Sequence, residues 1–298
     1  MYWQTSRYQI DLTTPKVMGI VNVTPDSFSD GGQHASLAAA VAHCDRLVHD
    51  GADILDIGGE STRPGALALD VEEELRRVIP VVRHAVTLGV PVSVDTYKPA
   101  VMQAVLDLGA DIVNDVWALR WTPFESDGGS NAAGAQNAES VVRAHPRCGV
   151  CLMHMHREPS TMQAAPMEGD VVQPVQTFLM HLAQHLQSLG VEASRICLDP
   201  GIGFGKTVAQ NFSLLARQQA IVSLGYPVLA GWSRKSSLAA VTQTSLSNVA
   251  RMDVRERMVP SVAAALIAVQ NGAHVVRVHD VKETVQALKV WAAVQAQA

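Results

Sequence analysis

The chain has 298 residues, 48% of them hydrophobic and 17% charged, which is enough apolar material for a large core and too little charge for a disordered chain. Its formal net charge of −5, with no long Lys/Arg run, argues against a nucleic-acid or anionic-membrane surface and for a small-molecule partner. Met1 to Ile10 lacks an apolar signal core, and the longest apolar stretches, such as Val262 to Val269, fall far short of the ~20 residues that cross a bilayer; a cytoplasmic location is expected.

Taken in chain order, β-rich apolar runs alternate with helical patterns. The expected strands are Val17–Val23, Asp53–Ile57, Val90–Val94, Asp111–Val116, Gly149–His154, Arg195–Leu198, Tyr226–Ala230 and His274–Val278. They are apolar without alternation, as strands covered on both faces are. The helix expected over Ser36–His49 places Ala39, Val41, Ala42, Leu47 and Val48 largely on one stripe, and Val262–Gln270 is nearly all apolar. Helices run into Gly-Ala or Gly-Val steps at Gly51, Gly89, Gly109 and Gly272, where a left-handed residue ends a helix. The polar, small-residue segment 125–138 reads as a flexible insertion. One α/β domain over residues 1–298, a single (β/α)8 TIM barrel, accounts for the alternation and puts the active site at the C-terminal strand ends.

Those ends carry chemically useful residues: Asn22, the run Gly58–Gly65 with Arg63, Asp95, Asn114 and Asp115, His154, Asp199, Ser233–Ser236, and Arg277 with His279. A single one reads as a polar cap on loose backbone groups; one at every strand end is harder to read that way. Asp95, Asn114 and Asp199 offer the donors and acceptors that a flat polar heterocycle needs, while Arg63, Arg277, His279 and Asn22 suit a polyanion. The stretch Asp199–Thr207 fails the nucleotide P-loop pattern at Pro200, so its glycines are expected to shape a tight loop presenting Phe204 and Lys206. Ser233 or Ser236 is expected to cap the following helix, with backbone N–H groups facing a carboxylate or phosphate. The Cys148-Gly-Val-Cys151 spacing has no second half of a zinc site, and residues three apart in a strand face opposite ways. His154 and His156 lack a third ligand, so Met153 and Met155 are read as packing against a ring.

Met18-Gly-Ile-Val-Asn-Val-Thr-Pro-Asp-Ser-Phe-Ser-Asp-Gly-Gly32 resembles the N-terminal signature of the dihydropteroate synthase family. Gly58–Gly65, Ser93–Thr96, Met153–Met155, Asp199–Gly201, Ser233–Ser236 and Arg277–Asp280 match that family in the same order, from about residue 8 to 295. The resemblance implies a folate-pathway transferase that joins 4-aminobenzoate to a dihydropterin pyrophosphate, a sulfonamide target. It implies a pterin pocket of Asp95, Asn114, Met153, Asp199, Lys235 and Arg277, with Asp95, Lys235 and Arg277 catalytic. Pyrophosphate would be held by Asn22, Arg277 and His279, with Mg²⁺ carried mainly by pyrophosphate and touched by Asn22. The 4-aminobenzoate subsite would comprise Phe28, Thr62, Arg63, Pro64, Phe204, Lys235 and Ser236, the loops around Ser27–Ser29 and Ser61–Pro64 resemble lids, and a homodimer through the last helices is implied. Arg157, Trp117, Trp232 and Pro260-Ser261 depart from the family pattern. A related pterin-binding barrel, the methyltetrahydrofolate methyltransferase, would share the pterin carboxylates but not the phosphate-facing Arg277 and His279, and a non-catalytic pterin-binding protein is a second alternative.

Overall fold

The computed structural model describes residues 1–23, 32–61, 68–122, 137–159, 161–242 and 253–297. It opens with an antiparallel hairpin, β1 (Tyr2–Gln4) and β2 (Gln9–Asp11), whose strands are too short to show a hydrophobic period. Strands and helices then alternate: β3 (Lys16–Asn22), α1 (Gly32–His49), β4 (Ile54–Gly58), α2 (Val71–Ala85), β5 (Val92–Asp95), α3 (Pro99–Asp107), β6 (Ile112–Asp115), α4 (Ala138–Ala144), β7 (Gly149–Met153) and α5 (Val172–Ser188). They continue through β8 (Ile196–Asp199), α6 (Val208–Ala216), α7 (Gln219–Val222), β9 (Leu229–Ala230), α8 (Ser236–Thr242), α9 (Met258–Gln270), β10 (Val275–Val278) and α10 (Val281–Gln295). The eight parallel strands lie in the order β8-β7-β6-β5-β4-β3-β10-β9, and a bridge between Leu198 and Val228 joins the two ends into the expected TIM barrel. The seventh barrel strand is shorter than its apolar run: Pro227 has no N–H to give, and the Val228 N–H goes to His274 Nδ1 at 3.1 Å rather than to a strand carbonyl.

Alternation within each strand sorts the core into layers. Outward residues Val17, Val21, Leu55, Ile57, Val92 and Val94 pack under the coating helices, and Val113, Val150, Leu152, Ile196 and Leu198 do so on the other side. Inward residues near the strand N-termini, Met18, Ile54, Ile112, Cys151, Cys197, Leu229 and Val275, form a separate cluster with Trp3, Ile10 and Leu12. Cys148 and Cys151 therefore face opposite ways, both as buried free thiols. The hairpin is a plug in the N-terminal mouth of the barrel: buried Trp3 donates its Nε1–H to the Arg195 carbonyl at 3.0 Å. Gly149 makes room for it, since a Cβ there would stand 3.1 Å from that indole nitrogen. Arg7 fastens the hairpin through an ion pair to buried Asp111 at 2.6 Å.

The helix ends follow the glycine steps, with Gly51, Gly89, Gly109 and Gly272 at φ of 99°, 78°, 96° and 91°. In α1 the buried positions are Ala40, Cys44 and Leu47, spaced four and three residues apart; of the expected stripe Leu47 is buried, Ala39, Val41 and Val48 are half-buried, and Ala42 is exposed. The expected insertion 125–138 lies outside the described residues up to 136; Asn137 caps α4 by accepting from Ser140 N, and Ala138 is its first residue. Pro260 sits in the first turn of α9, where its missing N–H costs nothing. Among the described residues no helix is long and apolar enough to cross a membrane. Trp3→Ala is expected to lower unfolding free energy by about 3–5 kcal/mol, read from urea denaturation, because the cavity opens inside a plug that cannot collapse; an unchanged midpoint would show that the hairpin adds nothing to the barrel.

Candidate active site

Above the apolar plug the interior turns polar. The strand register sets Asn22 beside Gly58, Gly58 beside Asp95, and Asp95 beside Asn114. Arg277, from β10, reaches across to two carboxylates: its Nε–H meets Asp56 Oδ2 at 2.6 Å and an Nη2–H meets Asp95 Oδ2 at 2.8 Å. Asn114 donates to the same Asp56 oxygen at 3.2 Å. Asp199 accepts the Gly201 N–H at 2.7 Å and has the charges of Lys235 and Arg277 close by. Asp95, Asn114, Asp199 and Arg277 thus share one basin, as the strand-end positions suggested. Asp56, which links two of them, was not foreseen; the one available signal was a carboxylate inside the otherwise apolar run Ile54–Gly58. Its second oxygen, Oδ1, is buried and meets no partner among the described residues.

Burial pushes the Asp95 carboxyl up to about 7; Arg277 opposes this shift and the nearby Asp56 charge adds to it. Burial also raises Asp115 to about 7, against the pull of hydrogen bonds from the Trp117 and Leu119 N–H groups. Asp199 is raised by burial as well. Burial disfavours the Arg277 charge, but Asp56 and Asp95 outweigh it and its pKa rises.

One wall of the basin is apolar. Met153, Met155, Met162, Tyr97, Val116 and Phe204 form a single cluster, with Trp117 and Trp121 packed against it. Lys235 sets its ammonium 4.4 Å from the centre of the Phe204 ring. Ser236 is exposed at the start of α8, whereas Ser233 is turned away from the expected capping role: its hydroxyl meets His279 Nδ1 at 2.9 Å and accepts the His279 N–H at 3.0 Å. The side chain therefore fixes His279 rather than a helix end. Phe28, Thr62, Arg63 and Pro64 lie outside the described residues. Flanking the latter three, Glu60 accepts from Tyr97 Oη at 2.8 Å and from Leu69 N at 3.1 Å. Buried Lys98 stands between Glu60 and Glu74, 2.5 Å from the latter.

Lys206 is not presented by its loop as expected but enclosed by it. It is 3% exposed and its Nζ is enclosed by His154 Nδ1 at 3.0 Å and by the carbonyls of His154, Gly201 and Phe204 at 3.3, 2.8 and 3.1 Å. Burial lowers its pKa to about 7, and burial together with the Lys206 charge lowers His154 to about 3. The loop is wound so tightly that these inward carbonyls outcompete solvent for the ammonium: a Cβ on Gly201 would fall 1.8 Å from the His154 carbonyl oxygen.

Residues 18–279 match the family described as pterin binding enzyme. Over 94% of its length the chain is 45% identical to the dihydropteroate synthase of Escherichia coli (strain K12), covering 92% of that protein. The chain belongs to the dihydropteroate synthase family of pterin-binding transferases. The Neisseria meningitidis serogroup C enzyme is likewise 45% identical, over 98% of this chain and 96% of that one. Among solved structures, the Xanthomonas albilineans synthase with 4-aminobenzoic acid is 46% identical, with a TM-score of 0.86 and 99% of both chains covered. The Burkholderia cenocepacia synthase complexed with 7,8-dihydropteroate is 45% identical, with a TM-score of 0.84 and coverage of 99% and 97%.

Departures from the family pattern have local causes. Arg157 adopts a left-handed φ of 61°, the conformation for which a glycine is the ordinary choice. Trp232 is buried with its ring 5.2 Å from Phe212, and so shapes packing behind the β9–α8 loop rather than the basin. As for a metal, among the described residues no three His, Cys, Asp or Glu side chains converge, and Asn22 ends β3 with a lone neutral amide. That donor set fits an ion that takes most of its ligands from a polyphosphate and water.

Asp95 and Asp115, the two carboxyls raised to about 7, bind their protons more tightly in the folded state than in the unfolded chain. Their linked stability is fully present below the ordinary carboxylate pKa near 4 and is lost as the pH rises toward 7. Carbon-13 NMR of the ligand-free protein should therefore show carboxyl titrations near pH 7, one of which disappears in Asp95→Asn; a spectrum with every carboxyl titrating near 4 would contradict the electrostatics described.

Proposed function

We propose that the chain condenses 6-hydroxymethyl-7,8-dihydropterin pyrophosphate with 4-aminobenzoate, giving 7,8-dihydropteroate and pyrophosphate. The observation that carries this is the basin in which Arg277 is shared by Asp56 and Asp95 beside Asn114 and Asp199. A pterin presents an amino group, ring N–H groups and a carbonyl along its edges, and that set of carboxylates and one amide complements them. The relatives solved with 4-aminobenzoic acid and with 7,8-dihydropteroate support the same reading.

In the assignment proposed, Asp95, Asn114, Met153, Asp199, Lys235 and Arg277 hold the pterin. Asn22, Arg277 and His279 hold the pyrophosphate, and Phe204, Lys235 and Ser236, with Phe28, Thr62, Arg63 and Pro64, frame 4-aminobenzoate. The bond between the pterin methylene and the pyrophosphate oxygen breaks first, its electron pair leaving with the pyrophosphate. The cationic methylene is stabilised by the Asp95 carboxylate, and Arg277 steadies the departing charge. The arylamine nitrogen then supplies its lone pair to form the C–N bond and releases one proton to solvent. Mg²⁺, brought in with the pyrophosphate, would neutralise charge on the leaving group. No side-chain nucleophile is needed, because the arylamine itself attacks an activated carbon.

Three further parts of the reading are proposals. Sulfonamide drugs are proposed to enter the 4-aminobenzoate subsite, in line with the Yersinia pestis synthase solved with such a drug, which is 38% identical with a TM-score of 0.85. A homodimer is proposed through α9 and α10, whose Val259, Ile267, Val290 and Val294 stand 69%, 44%, 68% and 61% exposed. A cytoplasmic setting is proposed because the substrates are soluble metabolites.

Given the pterin pyrophosphate and Mg²⁺, the purified protein should release pyrophosphate only when 4-aminobenzoate is added, with dihydropteroate as co-product. Pterin binding without such release would favour methyl transfer to a corrinoid partner, or binding alone. Asp95→Asn should lower kcat by roughly 10²–10³, the cost of removing one preorganised electrostatic contact; wild-type turnover in that variant would remove Asp95 from the chemistry. Light scattering should return twice the chain mass, and a fully active monomer would rule out the dimer.

A further inference from the structure

Lys206 is a buried ammonium that the proposed chemistry does not use and that makes no ion pair among the described residues, although the charge of Asp199 acts on it from farther off. Buried lysines are ordinarily paired with an acid. This one is enclosed instead by the His154 ring nitrogen and three backbone carbonyls, two of which, Gly201 O and Phe204 O, belong to the loop between β8 and α6. In the protonated form three N–H donors meet four acceptors, so the longest contact, 3.3 Å to His154 O, is the shared one. The ammonium thus plays the part that a bound cation plays in a carbonyl-lined loop: it draws the turn 201–204 and the segment after β7 around one positive centre.

The loop has two ends with different supports. Asp199 is the last residue of β8, held by its register with Met153 and by the His154 N–H to its carbonyl at 3.0 Å. Phe204 has no strand beneath it. Its own backbone is held by the turn bond from Phe204 N to Gly201 O at 3.1 Å and by Lys206, which holds the carbonyls of both residues, while its neighbours Gly203 O and Gly205 O accept from Gln163 Nε2 at 2.6 Å and Met167 N at 2.8 Å. Next to it, Gly203 N is held by Asn211 Oδ1 at 2.8 Å. From that position the Phe204 ring meets the Lys235 ammonium.

We propose that Lys206 is a positioning residue for the 4-aminobenzoate subsite, its enclosed ammonium fixing where the Phe204 ring stands relative to Lys235. The inference rests on the proposed synthase activity. Removing the ammonium leaves the His154 and Phe204 carbonyls without the donor they have here, while Gly201 O keeps the Phe204 N–H; the loop relieves this by turning the Phe204 carbonyl to water, which moves Phe204 but leaves Asp199 on its strand.

The test is steady-state kinetics of the full-length enzyme with both substrates varied. Lys206→Met keeps the stem and deletes the charge; it should raise KM for 4-aminobenzoate about tenfold or more while KM for the pterin pyrophosphate stays within about threefold. His154→Leu, which removes a single acceptor and retains the ammonium, should shift the same KM in the same direction by a few-fold, and His154→Asn, which restores an acceptor, should bring it back. If Lys206→Met does not fold, the His154 pair decides alone. An unchanged 4-aminobenzoate KM in these variants, an equal rise for both substrates, or no rescue by His154→Asn would each overturn the inference. Failure of the wild-type enzyme to release pyrophosphate with 4-aminobenzoate would instead overturn the proposed function, so the two failures are distinct.

Discussion

One guanidinium shared by two carboxylates governs the upper half of the barrel. Arg277 binds Asp56 and Asp95 at 2.6 and 2.8 Å, and Asn114 joins through Asp56. Three charged groups inside a barrel are costly to desolvate, and a well-packed apolar layer of similar volume is often as stable or more so. The polarity of this layer is therefore explained by what it must bind, not by the stability of the fold. The buried Asp56 Oδ1, without a partner among the described residues, is a further sign that the layer is built to be completed by a ligand.

Stability comes from the other half. The interior near the strand N-termini is closed by Met18, Ile54, Ile112, Leu229 and Val275 against Trp3, Ile10 and Leu12. Two larger apolar layers surround the barrel. Strands anchored in this way can present charge at their far ends with little freedom to rearrange. Preorganised dipoles and charges are effective because they do not have to reorient during reaction.

Much of this was legible in the sequence, and the gaps have physical reasons. The strands were readable because burial on both faces makes them continuous apolar runs, and the helix ends because left-handed turns need glycine, as at Gly51 and Gly109. Asp95, Asn114, Asp199 and Arg277 could be placed because strand ends converge in any barrel. Asp56 could not, since it sits one turn of the alternation inside the strand, and nothing local distinguishes an inward carboxylate from an outward one before the register is known. The hairpin was missed because three-residue strands carry no period. Lys206, expected to be presented by its loop, is enclosed by it instead, because only the backbone path shows the carbonyls folding inward around the ammonium.

The raised pKa of Asp95 bears on the proposed chemistry in a way that pocket shape alone does not. Burial and the Asp56 charge both disfavour ionisation of Asp95, and Arg277 offsets them only in part, which leaves the carboxyl near 7. Such a group gains most when positive charge appears beside it, because the same low polarisability that penalises the lone anion strengthens its attraction to a cation. Two unit charges about 4 Å apart attract by roughly 4 kcal/mol at the effective dielectric of a partly buried site, against about 1 kcal/mol in water. A carboxylate kept poorly solvated in the free site thus distinguishes a methylene on its way to carrying a cation from the neutral ground state. That difference, rather than tight binding of the substrate, is what lowers a barrier.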